Sequence, residues 1–430
     1  MAAYVRFERA FAARPEQFPD PSAPAAATED RSRVGLPWAC MRLLIRPTVR
    51  TTAATATALA CALVPVFLFG ALSELIRADL GFDEAGVGAG VTVFFVAAGL
   101  GAVPAGHVTE RVGPRVAMLL GASIAGTASL GIGVLAQSWW HAAPLLALAG
   151  SAVGLIDTGG ARAFADVVPT RRQGLAFGIK EASVPAASML AGAAVPLLGL
   201  TVGWRATFAL GLLLVPLVWV VLPPQVGTHA RATTVTDPQR PSRSTLVLIA
   251  IGSAAGTGAA TATASFLVPA ATVAGLSVGV AGTLLAVGSL LSIGVRVVAG
   301  HVADRSSPHR DLTVTAAMLA VGALGPLLLA TDLRTAALAG GLVALGAGWG
   351  WTGLVFLSAV RADPTAPAAA AGIVLAGLST GGALGPVAFG VIVSQAGYPA
   401  AWVTAAVSMA VGASAIQAAS RRRAVDAPSA

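Results

Sequence analysis

The chain has 430 residues, 56% of them hydrophobic and only 11% charged, with a mean hydropathy of +0.80. Soluble domains carry about 25% charged residues, so most of these side chains need a non-aqueous solvent, and a string of soluble domains is excluded. The net charge of +8 does not indicate nucleic acid, because the basic residues punctuate apolar runs and form no stripe.

Residues 1–30 are polar and rich in Pro and Ala, with no apolar core of a secretory signal. Residues 1–50 read as a largely disordered cytoplasmic tail. Apolar runs of about 20 residues, the length that crosses a bilayer, then follow at 52–76, 86–107, 115–137, 141–164, 174–199 and 204–222. Six more lie at 245–270, 279–301, 312–330, 334–359, 367–394 and 399–419. Between the two sets, Pro223–Ser244 is polar, contains Pro and has no helical period, as a central cytoplasmic linker would. The 50 glycines favour close helix packing in a bilayer. The expected fold is an all-α membrane protein of twelve transmembrane helices. They would form two pseudo-symmetric six-helix bundles, 51–222 and 245–419, with a short tail at 420–430.

With the N-terminus inside, eighteen arginines from Arg31 onward fall on the cytoplasmic side, and Arg77, Arg205 and Arg334 fall outside. Both termini are therefore expected in the cytoplasm of a bacterial-type plasma membrane. Lys180 is the single lysine, and no phosphate-binding GxxxxGK[ST] loop occurs, which excludes an ATP-driven pump within this chain. Cys40 and Cys61 offer no disulfide framework or metal spacing. There is no catalytic triad or metal cluster for an enzyme and no ring of like charges for a channel. Neither catalytic residues nor a metal or other cofactor is expected.

Ala105–Arg111 reads AGHVTER, and Ala299–Arg305 reads AGHVADR. The shift of 194 also carries Gly154 to Gly348, Gly178 to Gly372, and Gly203-Trp204 to Gly397-Tyr398. Both halves thus share one layout and direction, as in transporters built from parallel repeats.

These residues resemble the major facilitator superfamily, whose loop between helices two and three reads roughly G-x-x-x-[DE]-R-x-G-[RK]-[RK]. Gly106, Glu110, Arg111, Gly113 and Arg115 match it in the first copy. Gly300, Asp304, Arg305 and Arg310 match in the second, where Ser306-Ser-Pro308 replaces the glycine step. The run RRQGLAFGIKEASVP with GWRATF looks like the bacterial cyanate-transporter-like branch. Two marks of drug/proton antiporters are missing: an early arginine in span four and a GPxxGG bend in span five.

The resemblance implies gating roles for Gly106, Glu110, Arg111, Arg115, Gly300, Asp304 and Arg305. Gly106 and Gly300 would pack the cytoplasmic ends of spans two and eight. Glu110 would face the start of span eleven near Thr365–Pro367. Asp304 would face the start of span five near Arg172–Gly174. A carboxylate is stabilised at a helix N-terminus, so both contacts would act as latches favouring the outward-open state. Ordinary topogenic loop charges are the alternative.

Ionisable residues inside a span cost about 2.5 kcal/mol or more at mid-bilayer, so each is a functional candidate. These are Asp157, Arg162, Lys180, Glu181 and Arg296. Arg162 lies one turn from Asp166 and reads as structural. Asp157, Lys180 and Arg296 each lie roughly 12–13 Å in from a cytoplasmic charge on their own span. Asp157 and Lys180 suit a buried ion pair. Glu181, next to Lys180, is expected to point about 100° away from it. Asp157 and Glu181 are the proton-coupling candidates.

A guanidinium does not discharge, so Arg296 needs an anion or a carboxylate. An arginine at this offset in span eight binds the substrate anion in the monocarboxylate transporter family, which looks similar here. Ser292 stands where that family carries an acidic partner. The alternative is an arginine bonded to carbonyls or snorkelling. Trp349 and Trp351 would add an aromatic wall, or else sit at an interface.

Lys180, Arg296, Trp349 and Trp351 are thus the substrate candidates. The expected protein is a monomeric secondary active transporter moving a small organic anion with H+ by alternating access. A drug-efflux pump and, more remotely, a transporter-like receptor are the alternatives.

Overall fold

The computed structural model describes residues 47–167, 173–222, 243–305, 308–362 and 367–426. Most of the expected tail (1–50) and of the expected linker (223–244) lies outside them, and the described ends of both, 47–50 and 243–244, are helical. Every regular element among the described residues is a helix, with eleven stretches long and apolar enough to cross a membrane. The last of these bends at Gly397 (φ 80°) and supplies two crossings, which makes twelve.

The helices are α1 (Pro47–Ala71), α2 (Ser73–Leu80), α3 (Glu84–Val112), α4 (Pro114–Leu135) and α5 (Trp139–Val167). Span five consists of α6 (Gln173–Glu181), α7 (Ser183–Ala194) and a π-turn, Val195–Gly199; span six consists of α8 (Gly203–Leu210) and α9 (Leu214–Val221). Next come α10 (Arg243–Val273), α11 (Val278–Ala303), α12 (Pro308–Gly322) and α13 (Leu324–Leu329). Span ten is α14 (Arg334–Trp349) and α15 (Thr352–Ala362), and α16 (Pro367–Asp426) holds the last two crossings. The helix runs on to Asp426, past the expected start of the tail at 420. Arg423 fastens this end by donating to Ser358 O at 2.8 Å.

The 194-residue repeat is visible in the backbone. Gly81 (φ 71°) and Gly275 (φ 88°) are repeat mates, and so are Gly203 (φ 85°) and Gly397 (φ 80°). This left-handed region suits glycine, which has no Cβ to clash. Two residues beyond the first pair, Asp83 caps α3 through Gly86 N (2.9 Å) and Ser277 caps α11 through Val280 N (3.4 Å). At the same end, Arg205 lies over the Trp204 ring (4.4 Å), pairs with Asp79 (2.9 Å) and donates to Ala136 O (2.6 Å). Three loops are thereby tied together. This will be called the far end. The end carrying AGHVTER and AGHVADR will be called the string end.

Packing differs between the two ends. At the far end, α3 lies directly on the first limb of α16: a Cβ on Gly88 would meet Pro386 O, and one on Gly390 would meet Glu84 O at 2.5 Å. Toward the string end, Gly99, Gly106 and Gly372 have no atom of the described residues within 4 Å of the corresponding position, and Leu100 is 76% exposed. Span five and α11 touch along their whole length, from Gly174 against Gly300 through Ser188–Ser289 (3.1 Å) to Gly192 against Gly282.

Candidate translocation site

Four charged side chains from three spans meet in a row. Lys180 Nζ lies 3.1 Å from Asp157 Oδ1 and 3.4 Å from Glu181 Oε1. Arg296 Nη1 lies 3.9 Å from Glu181 Oε2. Side-chain exposure runs from 23% at Asp157 and 15% at Lys180 through 8% at Glu181 to 0% at Arg296. The row therefore leads from a partly accessible acid to a sealed guanidinium. The expectation that Glu181 points away from Lys180 is corrected. Both residues lie inside α6 (Gln173–Glu181), so their side chains still leave the backbone at diverging angles, and their length lets them bridge that angle and meet at 3.4 Å.

Arg296 is held mainly by backbone. Its Nη1 donates to Glu181 O, and its Nη2 donates to Trp349 O at 2.6 Å. Both carbonyls are released by breaks in their helices. The residue four beyond Glu181 is Pro185, which has no N–H to donate. Trp349 ends α14, and the chain turns through Gly350-Trp351 before α15. Broken helices at membrane depth need such partners, because no water satisfies a freed carbonyl in hydrocarbon. The Trp349 ring lies 5.7 Å from the guanidinium and meets Phe67 of α1 edge-on at 5.6 Å. Lys180 lies 5.6 Å from the Phe356 ring, which stacks on Phe177.

Trp351 is not in this group: α14 ends at Trp349, and Trp351 lies in the turn before α15. It is fully buried, packs on Gly256 and Leu319, and bonds Gly348 O at 2.9 Å. Arg162 is exposed, and the side chain of Asp166 lies outside the described set.

The two strings differ. Asp304 caps α6 with both oxygens, accepting from Gly174 N at 2.8 Å and Leu175 N at 3.3 Å. This is the expected approach to the start of span five. Residues 171–172, also expected there, are outside the described set. Gly300 makes room for it, since a Cβ there would strike Gly174 O. Arg361, unforeseen in the sequence, lies 3.9 Å from Asp304, donates to Ala303 O at 2.8 Å and pairs with Asp311 at 3.2 Å. Arg305 is exposed and contacts His301 at 3.1 Å. In the first copy, Glu110 and Arg111 are exposed and Arg115 is half-buried. Among the described residues, no atom lies within 4 Å of where a Cβ on Gly106 would sit. The partners expected for Glu110, near Thr365, lie outside the described residues. Thr109 instead ties α3 to α5 through Thr158 at 2.8 Å.

The profile of the Major Facilitator Superfamily matches residues 52–364, well over half of the chain. The chain belongs to that superfamily. Two solved structures share its fold, both crystal structures of a bacterial homolog of the human lysosomal transporter Spinster. The inward-facing, occupied form has a TM-score of 0.63 and 18% identity, covering 88% of this chain and 98% of that one. The inward-facing, unoccupied form has a TM-score of 0.64 and 17% identity, covering 90% and 100%. A comparison with curated proteins gives no match. Membership fixes the architecture as the twelve-helix major facilitator fold and the broad role as membrane transport, within which the charged row lies at the junction of the two halves.

Proposed function

We propose that this superfamily member is a secondary active transporter that carries a small organic anion together with H+ by alternating access. One observation carries the reading: Arg296, sealed among helices, has Glu181, 3.9 Å away on the other half of the molecule, as its only nearby carboxylate among the described residues. When all four groups are ionised the row sums to zero. An anion that takes Glu181's place at Arg296 leaves Asp157 and Glu181 sharing the single charge of Lys180, and a proton on Glu181 restores neutrality. Substrate and proton thus load together. Asp157, the most accessible member, passes the proton by way of the Lys180 pair. Trp349 and Phe67 form the aromatic wall, to which Trp351, expected there, does not contribute.

With the string end in the cytoplasm, as the arginine distribution expects, separation of α3 from α16 at that end suits an inward-open state. The Asp304 contact then closes one seam of the cytoplasmic side and Glu110 the other, and the two engage at different points of the cycle. The cyanate-transporter-like assignment rests on RRQGLAFGIKEASVP, which contains Lys180, Glu181 and Pro185 of this site.

Uptake of labelled organic anions and cations into proteoliposomes, with and without a pH gradient, tests the reading. Arg296→Ala is expected to abolish anion uptake. Glu181→Gln is expected to leave anion exchange intact while removing its response to the gradient. Full anion uptake by Arg296→Ala would sink the proposal, and transport of lipophilic cations instead would support the efflux alternative.

A further inference from the structure

Between α11, α12 and α15, the bundle carries an open groove of about 960 Å³. Val287, Leu291, Val298 and Val302 of α11, Val314 of α12 and Leu354 of α15 line it. The α11 and α12 members are exposed, and Gly294 leaves its floor open, with no atom within 4 Å of where a side chain would begin. From Val287 to Val302 is fifteen residues, roughly 22 Å of helix, against a hydrocarbon core of about 30 Å.

At the string end, exposed Arg310 lines the mouth. The other charged lining residue, Asp311, is buried and paired with Arg361 at 3.2 Å. The mouth therefore presents a net positive charge. An apolar channel of this length with one cationic end complements an acyl chain bearing an anionic head.

We propose that this groove binds one anionic phospholipid, its chain along α11 and its phosphate on Arg310. Ala303 and Asp311, which line the same groove, are the groups that hold Arg361 beside Asp304. A phosphate on Arg310 thus lies one residue from that cluster, and the bound lipid firms the contact between span five and α11.

The test is native mass spectrometry of the full-length protein titrated with phosphatidylglycerol or phosphatidylcholine, which reads lipid binding independently of transport. The wild type is expected to prefer phosphatidylglycerol by about fivefold, the effect of one arginine near an anionic lipid surface. Arg310→Gln should level the two lipids. Gly294→Phe, whose ring projects into the groove, should weaken both. Arg111→Gln, an exposed arginine of the first string, should change nothing. Equal affinity for the two lipids in the wild type would overturn the proposal. So would an equal loss in Arg111→Gln, retention unaffected by Gly294→Phe, or a lipid-free dimer that Gly294→Phe dissociates.

Discussion

AGHVTER and AGHVADR share five letters of seven, yet their surroundings separate them. The second copy is anchored in three directions: Gly300 is pressed onto Gly174, Asp304 caps α6, and Arg361 clasps Ala303 O and Asp304. In the first copy, Thr109 on Thr158 is a buried anchor, and among the described residues no backbone presses on Gly106 as Gly174 does on Gly300. The Thr/Ala difference explains part of this. In the second half the mates of those threonines are Ala303 and Thr352, and Thr352 keeps a buried hydroxyl with no hydrogen-bond partner among the described residues. Arg361 takes over the fastening. A duplicated sequence therefore does not give a duplicated device, because what each copy does depends on the groups its own half turns toward it.

The sharpest way to break this comparison is to add bulk at the two glycines. Gly300→Leu is expected to cost 3 kcal/mol or more, since the clash is with backbone and exceeds the usual overpacking cost of about 1–3 kcal/mol. Gly106→Leu should stay within about 0.5 kcal/mol, as surface changes do. Thermal unfolding in detergent reads both, and equal shifts in Tm would dissolve the distinction. Next come the acids. Asp304→Ala removes a partly buried carboxylate from a helix N-terminus, worth up to about 2 kcal/mol, and frees the start of α6. Glu110→Ala should not change Tm measurably. Hydrogen exchange over residues 174–181 would show the difference, with faster exchange only in the Asp304 variant. The smallest effect concerns the threonines. Thr109→Val removes a hydroxyl bonded to Thr158 and to Ala105 O, at a cost of about 1 kcal/mol per bond, whereas Thr352→Val removes a hydroxyl with no partner among the described residues and should leave Tm unchanged or slightly raised.

The sequence made some of this legible. Ions in apolar runs stand out, so Asp157, Lys180, Glu181 and Arg296 were conspicuous, and helical spacing placed them at similar depth. The twelve crossings followed from hydropathy, and the approach of Asp304 to span five followed from the family resemblance. What stayed hidden depends on backbone and on long-range assembly. The carbonyls that hold Arg296 belong to no side-chain pattern, although Pro185, four residues after Glu181, was a signal that one would be free. Fixed angles per residue misplaced Glu181, because side chains as long as those of lysine and glutamate span the angle between neighbours on one helix. Arg361 read as one more loop cation, since its partners come together only when α11, α12 and α15 do. The sequences of the two strings are near copies, so their unequal packing was not legible at all.

Lys180 has one more consequence. It carries the only side-chain amine in the chain, and that amine lies between Asp157 and Glu181 at the partly accessible end of the charged row. An amine-directed acylating reagent thus finds one side-chain target in the whole molecule, at the centre of the proposed pathway. Modification there, read as a mass shift on a single peptide, becomes a timer for how often the ion pairs part and the reagent gains access. The same chemistry reports on turnover without knowledge of the cargo, because any compound that occupies the row shields the amine and slows its labelling.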